Sequence, residues 1–291
     1  MKTKKTLTGL LYILPWLAGF CLLQFVPLCQ SLWYSFTDFQ LIGESRFVGI
    51  ENFKKIFTAD PQFWQSLKVT FLYVLIAVPL KIAFALFIAV VLNQKLAGIN
   101  LFRTVYYMPS ILGGSIAISV LWKFLFMKQG VINNIIGTIG IPAVDWLGSP
   151  AWALFTVSLV TIWQFGSSMV LFLAGLKQIP ESLYEAARLD GAGRVSIFFR
   201  VTLPMLTPIV FFNLIMQMIN AFQEFTTVFV ITQGGPLKST YLYGMMLYEQ
   251  GFKYFRMGYA SALSWILFAV IFIFTSLTFK SSESWVHYGD S

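Results

Sequence analysis

The chain has 291 residues, of which 57% are hydrophobic and 11% charged, against roughly 25% charged in a soluble domain. That composition places it among integral membrane proteins. The formal net charge is +8, yet the basic residues are scattered among loops and beside apolar runs, with no basic, aromatic-studded face to track phosphates, which excludes a nucleic-acid partner.

Six apolar runs of about 20 residues or more predict six transmembrane helices. The first, about 7–33, follows Lys2, Lys4 and Lys5 and has neither the length of a signal-peptide core nor an A-x-A cleavage site, so it reads as a retained span. Cys21 and Cys29 fall in or beside it and form neither a disulfide framework nor a metal site. A polar stretch, 34–66, reads as an outside loop, with FVGIENFKKIF as a short interfacial helix. The second span is 67–92, interrupted by Pro79 and Lys81. The third is 104–126, where Gly113, Gly114 and Ser115 let a neighbouring backbone approach closely. The fourth is 152–176, the fifth 206–231 and the sixth 258–280, with a Gly- and Tyr-rich outside segment at 232–257. An even number of spans puts both termini on one side. Lys2, Lys4, Lys5, Lys95, Arg103 and the basic residues of the fourth-to-fifth loop favour the cytoplasm for that side. His287, the one histidine, lies in the C-terminal tail and offers no catalytic constellation.

The loop at 177–204 is too polar for lipid: it carries Lys177, Glu181, Glu185, Arg188, Asp190, Arg194 and Arg200. It predicts two short helices. Pro180 suits a first helical turn, Glu181 and Glu185 complement the positive helix end, and Gly191 is a left-handed stop. The second helix is expected over about 194–200, ending before Pro204, because the residue before a proline disfavours helix. A helix, turn, helix on a membrane face is a docking surface.

Within the fifth span, Asn213, Gln217, Asn220 and Glu224 are spaced by four, three and four residues, which at 3.6 residues per turn lines them on one helix face. Gln223 widens the stripe, and the fourth span adds Thr156, Thr161, Gln164, Ser167 and Ser168. Such groups face a bundle interior, a partner or a water-filled cavity. Two readings are open: amides gluing helices, or a hydrophilic path for a polar solute. No GxxxxGK[ST] loop, carboxylate pair or metal-ligand cluster is present, so no catalytic residue or metal site is assigned and energy for transport must come from elsewhere.

The docking loop reads EAARLDG, nine residues, then VTLP. It resembles the cytoplasmic coupling motif of inner-membrane permease subunits of binding-protein-dependent ABC importers: Glu-Ala-Ala, three residues, Gly, nine residues, Ile, one residue, Leu-Pro. The departure is Val201 in place of Ile. FVGIENF, FWQSLKVT, RTVYYMPS, NAFQEFTTVFVITQGGP and MGYASALSWILF extend the resemblance over most of the chain, towards the maltose-type and glycerol-3-phosphate-type first permease. It implies an all-α, six-span type I importer permease fold, one transmembrane domain over 1–291, in a bacterial plasma membrane. The implied partners are a second homologous permease, two cytoplasmic ATPase subunits, an extracytoplasmic solute-binding protein facing 232–257, and membrane lipid. ATP and Mg would be held by the ATPase subunits and no cofactor by this chain, which would not itself be an enzyme.

By the same resemblance, Glu185, Ala186, Ala187 and Gly191 would sit in the cleft of an ATPase subunit, with Val201, Leu203 and Pro204 joining them to the fifth span. Solute contacts would fall at Gln217, Ala221 and Glu224. An anionic Glu224 disfavours an acidic solute unless a cation intervenes. The alternatives to a sugar importer are an ion-coupled secondary transporter, or an importer of the same superfamily for amino acids, phosphate or metals.

Overall fold

A computed structural model describes residues 12–40, 45–94 and 98–287; Lys2, Lys4, Lys5 and Lys95, counted above for orientation, lie outside them. The chain divides into two compact units, residues 1–63 with 246–270, and residues 64–245 with 271–291.

In the first unit, helix α1 (Tyr12–Ser35) is long and apolar enough to cross a membrane and contains a π-turn at Cys21–Phe25. The expected interfacial helix is α2 (Glu51–Thr58). Asn52 is buried and fixes α2 to the end of α1, donating through Nδ2 to the Ser35 and Thr37 carbonyls at 2.9 and 2.8 Å. Gly258 donates its N–H to the Phe39 carbonyl at 2.9 Å, and a Cβ at that position would collide with the Thr37 carbonyl oxygen. Tyr259 donates its hydroxyl to Asp60 at 2.7 Å.

Helix α3 (Pro61–Leu92) runs unbroken through Pro79. The next expected span is broken: α4 (Ile99–Leu112) and α5 (Ile116–Leu125) meet at 103° across Gly113 and Gly114. Ser115, with extended backbone, restarts the helix by accepting the Ile118 N–H at 3.3 Å, as an N-cap does. A short α6 (Val131–Thr138) follows. The fourth expected span is also two helices, α7 (Pro150–Trp163) and α8 (Gly166–Leu176), bent by 48° at Gln164 and Phe165. After α9 (Glu181–Leu189) comes α10 (Arg194–Phe222), then a break and α11 (Thr226–Ile231). Helices α12 (Tyr243–Tyr248) and α13 (Met257–Ser282) complete the chain. Among the described residues four helices can cross a membrane by length and composition, or up to six if each bent pair counts as one span.

The core of the second unit is a continuous apolar cluster that includes Tyr73, Ala77, Val157, Met169, Phe172 and Leu206. Within it α8 packs on α4 and α10, and α11 on α5 and α7. Gly175 permits the close approach of α8 to α10, since a Cβ there would overlap Ile209 Cδ1.

One expectation is corrected. The helix starting at Arg194 does not end before Pro204; it continues to Phe222 through a π-turn at Phe198–Thr202. A proline inside an α-helix removes one N–H bond and crowds the carbonyl four residues back. The wider turn, closed by Leu203 N–H on the Phe198 carbonyl, lets the helix pass that position.

Asn52→Ala should lower the unfolding free energy of the purified protein by about 1–3 kcal/mol, because two inward carbonyls lose their donor. Thermal unfolding in detergent reads this as a drop in Tm; an unchanged Tm would mean that Asn52 does not hold α2.

Candidate functional site

Three helix breaks in the second unit meet around one polar cavity of about 270 Å³. Gly113 and Gly114 come from the α4–α5 break, Gln164 from the α7–α8 break, and Gln223 and Glu224 from the α10–α11 break, with Asn220 at the end of α10. A broken helix frees backbone groups that must find partners where water is scarce. Here the breaks satisfy one another. Gln164 donates through Nε2 to the Gly113 carbonyl at 2.6 Å. Ser110 donates its hydroxyl to the Gln164 carbonyl at 3.1 Å and accepts the Ser167 N–H at 2.9 Å. The fit is tight: a Cβ on Gly113 would overlap Gln164 Cγ and Cδ, and one on Gly166 would lie 2.7 Å from the Tyr106 carbonyl oxygen. At the third break Glu224 accepts the Thr227 N–H at 3.0 Å through Oε1, capping α11. Gly244 lies against the same break, where a Cβ would stand 2.8 Å from the Glu224 carbonyl oxygen.

The polar stripe divides in two. Asn213 is buried and donates to the Ile209 carbonyl of its own helix at 3.0 Å, and Gln217 donates to Ser168 Oγ on α8 at 3.3 Å. These two serve packing. Asn220, Gln223 and Glu224 line the cavity. Ala221 is buried in the apolar cluster rather than on the cavity wall. Glu224 also lies past the end of α10, not on its face, because the fifth expected span breaks at 223–225. Lys81, 7% exposed on α3, is within electrostatic reach of Glu224, as is the buried Tyr73, whose hydroxyl bonds Thr161 at 2.6 Å. Among the described residues Lys81 has no ion-pair or hydrogen-bond partner.

The docking loop has well-defined geometry. Pro180 is the residue preceding α9, and Gly191, at φ +76°, ends that helix. Ala192 N–H bonds the Ala187 carbonyl at 2.9 Å and Gly191 N–H the Arg188 carbonyl at 3.0 Å, the paired bonds of a Schellman end. Glu185 and Ala186 are exposed and Ala187 half-buried. In a loop otherwise charged, Leu189, Val195 and Phe199 are 90%, 71% and 60% exposed. Tyr184 and Thr202 hydroxyls, 3.3 Å apart, tie α9 to α10, which carries Val201, Leu203 and Pro204.

Residues 56–282 match the family described as binding-protein-dependent transport system inner membrane component. The chain belongs to that family. It is a multi-pass inner-membrane permease of the ABC-importer type, as its relatives also indicate. It is 49% identical over 288 residues to the probable ABC transporter permease protein YesP of Bacillus subtilis, covering 98% of this chain and 93% of that protein. It is 32% identical to the lactose transport system permease protein LacF of Rhizobium radiobacter, covering 97% and 96%. A chain of a bacterial alginate ABC transporter, crystallised in complex with alginate pentasaccharide-bound periplasmic protein, superposes with a TM-score of 0.83 at 21% identity, covering 97% of this chain and 96% of that one. The permease thus has the type I importer fold.

The sequence grouped Gln164 with the polar stripe but assigned no cavity role to Gly113 and Gly114, which line it. The Gly-Gly-Ser triplet was a legible signal for a break; Gln164 carried none beyond its polarity in an apolar run.

Gly113→Ala should abolish or sharply reduce solute uptake by the assembled transporter and destabilise the permease by roughly 1–3 kcal/mol through overpacking. Gly114→Ala, with nothing within 4 Å of its Cβ, should be tolerated. Adding Gln164→Ala to Gly113→Ala should recover stability in a double-mutant cycle; additive losses would dismiss the interlock.

Proposed function

We propose that this permease forms half of the membrane pathway of an ATP-driven sugar importer, and that the cavity at the three breaks is its solute contact. The observation that carries the reading is the convergence of broken spans on a polar cavity bordered by apolar helices, the arrangement in which transporters hold solute. Asn220, Gln223 and Glu224 supply acceptors and donors for hydroxyls, and Phe225 supplies an aromatic face beside them. The relatives named for sugars, lactose among them, support the solute class. The ion-coupled alternative finds no support in the family or the relatives.

Glu185, Ala186, Ala187 and Gly191 present a small, exposed helix end to an ATPase subunit. Glu185 meets a basic partner group, the two alanines allow close approach, and Leu189, Val195 and Phe199 supply apolar area around them. A second permease, two ATPase subunits holding ATP and Mg, and an extracytoplasmic binding protein at 232–257 complete the assembly. Both termini are cytoplasmic, on the side of the docking loop, and this chain carries no catalytic group. Closure of the ATPase pair moves α9, and the Tyr184–Thr202 contact passes that motion to α10.

Glu185→Ala should leave the purified permease folded while uncoupling ATP hydrolysis from uptake in the assembled complex, and Gly191→Pro, which cannot adopt the φ of +76°, should uncouple it by undoing the end of α9; intact coupling in both would remove the docking role. Independently, Glu224→Ala should cut sugar uptake more than it cuts complex assembly on a native gel. Uptake at the wild-type rate would return the cavity to a packing feature.

A further inference from the structure

A second polar cavity, about 470 Å³, lies behind α9 rather than on its exposed face. Its volume falls in the roughly 300–1,000 Å³ range of small-ligand sites. Lys177, Arg188 and Arg194 line it with a single carboxylate, Glu181. Three cations thus converge on one acid. Among the described residues none of the three cationic side chains has a hydrogen-bond or ion-pair partner. The rest of the lining is largely apolar, from Val90, Leu176, Ile179, Ile197 and Phe198, with Asn93, Tyr184 and Thr202. Val90 and Asn93 stand at the end of α3, Leu176 ends α8, and Thr202 lies early in α10. The cavity therefore lies at the ends of α3 and α8 and the start of α10, where spans meet the cytoplasmic loop.

We infer that this cavity binds a phosphate-bearing anion between the coupling helix and the ends of the spans. Guanidinium groups match phosphate oxygens in a two-pronged fashion, and a lysine adds a point charge. An excess of cations beside an apolar wall suits a group that is anionic at one end and aliphatic at the other. A basic pocket between spans on the cytoplasmic side has the chemistry that anionic lipid headgroups seek. A phosphate there would bridge Arg188 on α9 to Arg194 on α10, and so stiffen the joint through which α9 moves α10. Glu181, Tyr184 and Arg188 share one face of α9 and Ala186 faces away from it, while Glu185, four residues after Glu181 and three before Arg188, stands at its edge.

The inference rests on the reading that this loop lies on the cytoplasmic face, but its test needs no ATPase and fails separately from the docking role. The full-length permease is placed in nanodiscs of phosphatidylcholine and phosphatidylglycerol, and retained lipid is counted by native mass spectrometry. Wild type should retain phosphatidylglycerol preferentially; the Arg188→Gln, Arg194→Gln double variant should weaken that retention roughly tenfold or more. The Arg188→Lys, Arg194→Lys variant, which keeps the charge, should retain it, as should Arg46→Gln, a charge change in another loop. Titration of the detergent-purified chain with inorganic phosphate distinguishes the source. Phosphate binding that the double Gln variant loses, without a lipid preference, assigns the site to a soluble anion. Equal retention of phosphatidylglycerol by wild type and the double Gln variant, with no phosphate binding that depends on these arginines, overturns the proposal.

Discussion

The hydrogen bond from the Gln164 side chain to the Gly113 carbonyl is the contact on which the permease's interior depends. Inside a bilayer an unpaired backbone carbonyl costs several kcal/mol, so a span can be interrupted only where something else supplies the missing partner. Here the interruption in one span is satisfied by a side chain at the interruption in the next, at 2.6 Å. Ser110 repeats the device in the other direction, from α4 to the Gln164 carbonyl. Neither break is tolerable alone. Together they border the polar cavity, which is open at the chain's surface at Gly114, Asn220 and Gln223.

The third break is held differently, and the difference bears on transport. Glu224 caps its own short helix by accepting the Thr227 N–H, so one carboxylate oxygen has a structural task while the residue also lines the cavity. The element that delivers this break is α10, 29 residues of continuous helix from Arg194 to Phe222, about 43 Å at 1.5 Å per residue. Its lower end carries the loop joined to α9 by Tyr184 and Thr202, and its upper end is the cavity wall. The π-turn at Phe198–Thr202 keeps these two ends on one helix in spite of Pro204. A helix stopped at that proline would have placed a hinge between loop and cavity.

What could be read in the sequence follows from where the signals are local. Membrane class, the polar loop and the left-handed Gly191 rest on composition and single-residue backbone preferences, which no tertiary contact reverses. The breaks were less legible because a span reads as a run of apolar residues, and Trp152 to Leu176 stays apolar straight through Gln164 and Phe165. Only packing against Ser110 and Gly113 decides that the helix stops there. Periodicity misplaced Glu224 for the same reason: it assumed an unbroken helix to 231, whereas α10 ends at Phe222. It also set Asn213 and Gln217 on the same stripe, although Asn213 bonds its own helix and Gln217 bonds Ser168 on α8. Within a buried stripe, spacing identifies a face but not whether its polar groups are already satisfied.

Lys81 changes how the cavity's charge should be understood. By itself a carboxylate on the cavity wall would repel an anion and favour a neutral or cationic group. A buried lysine on α3 within electrostatic reach of Glu224 supplies the opposite charge from inside the same bundle. Burying either ion alone would be costly, and each lowers the cost of the other. With no close ion pair formed between them, neither charge is consumed by a direct contact. Lys81 does not line the cavity and acts on it only through the field at Glu224, which is strongest in a low-dielectric setting. The buried cation therefore offsets the charge of Glu224 without entering the cavity, and the polar wall itself is left to Gln164, Asn220 and Gln223 beside that carboxylate.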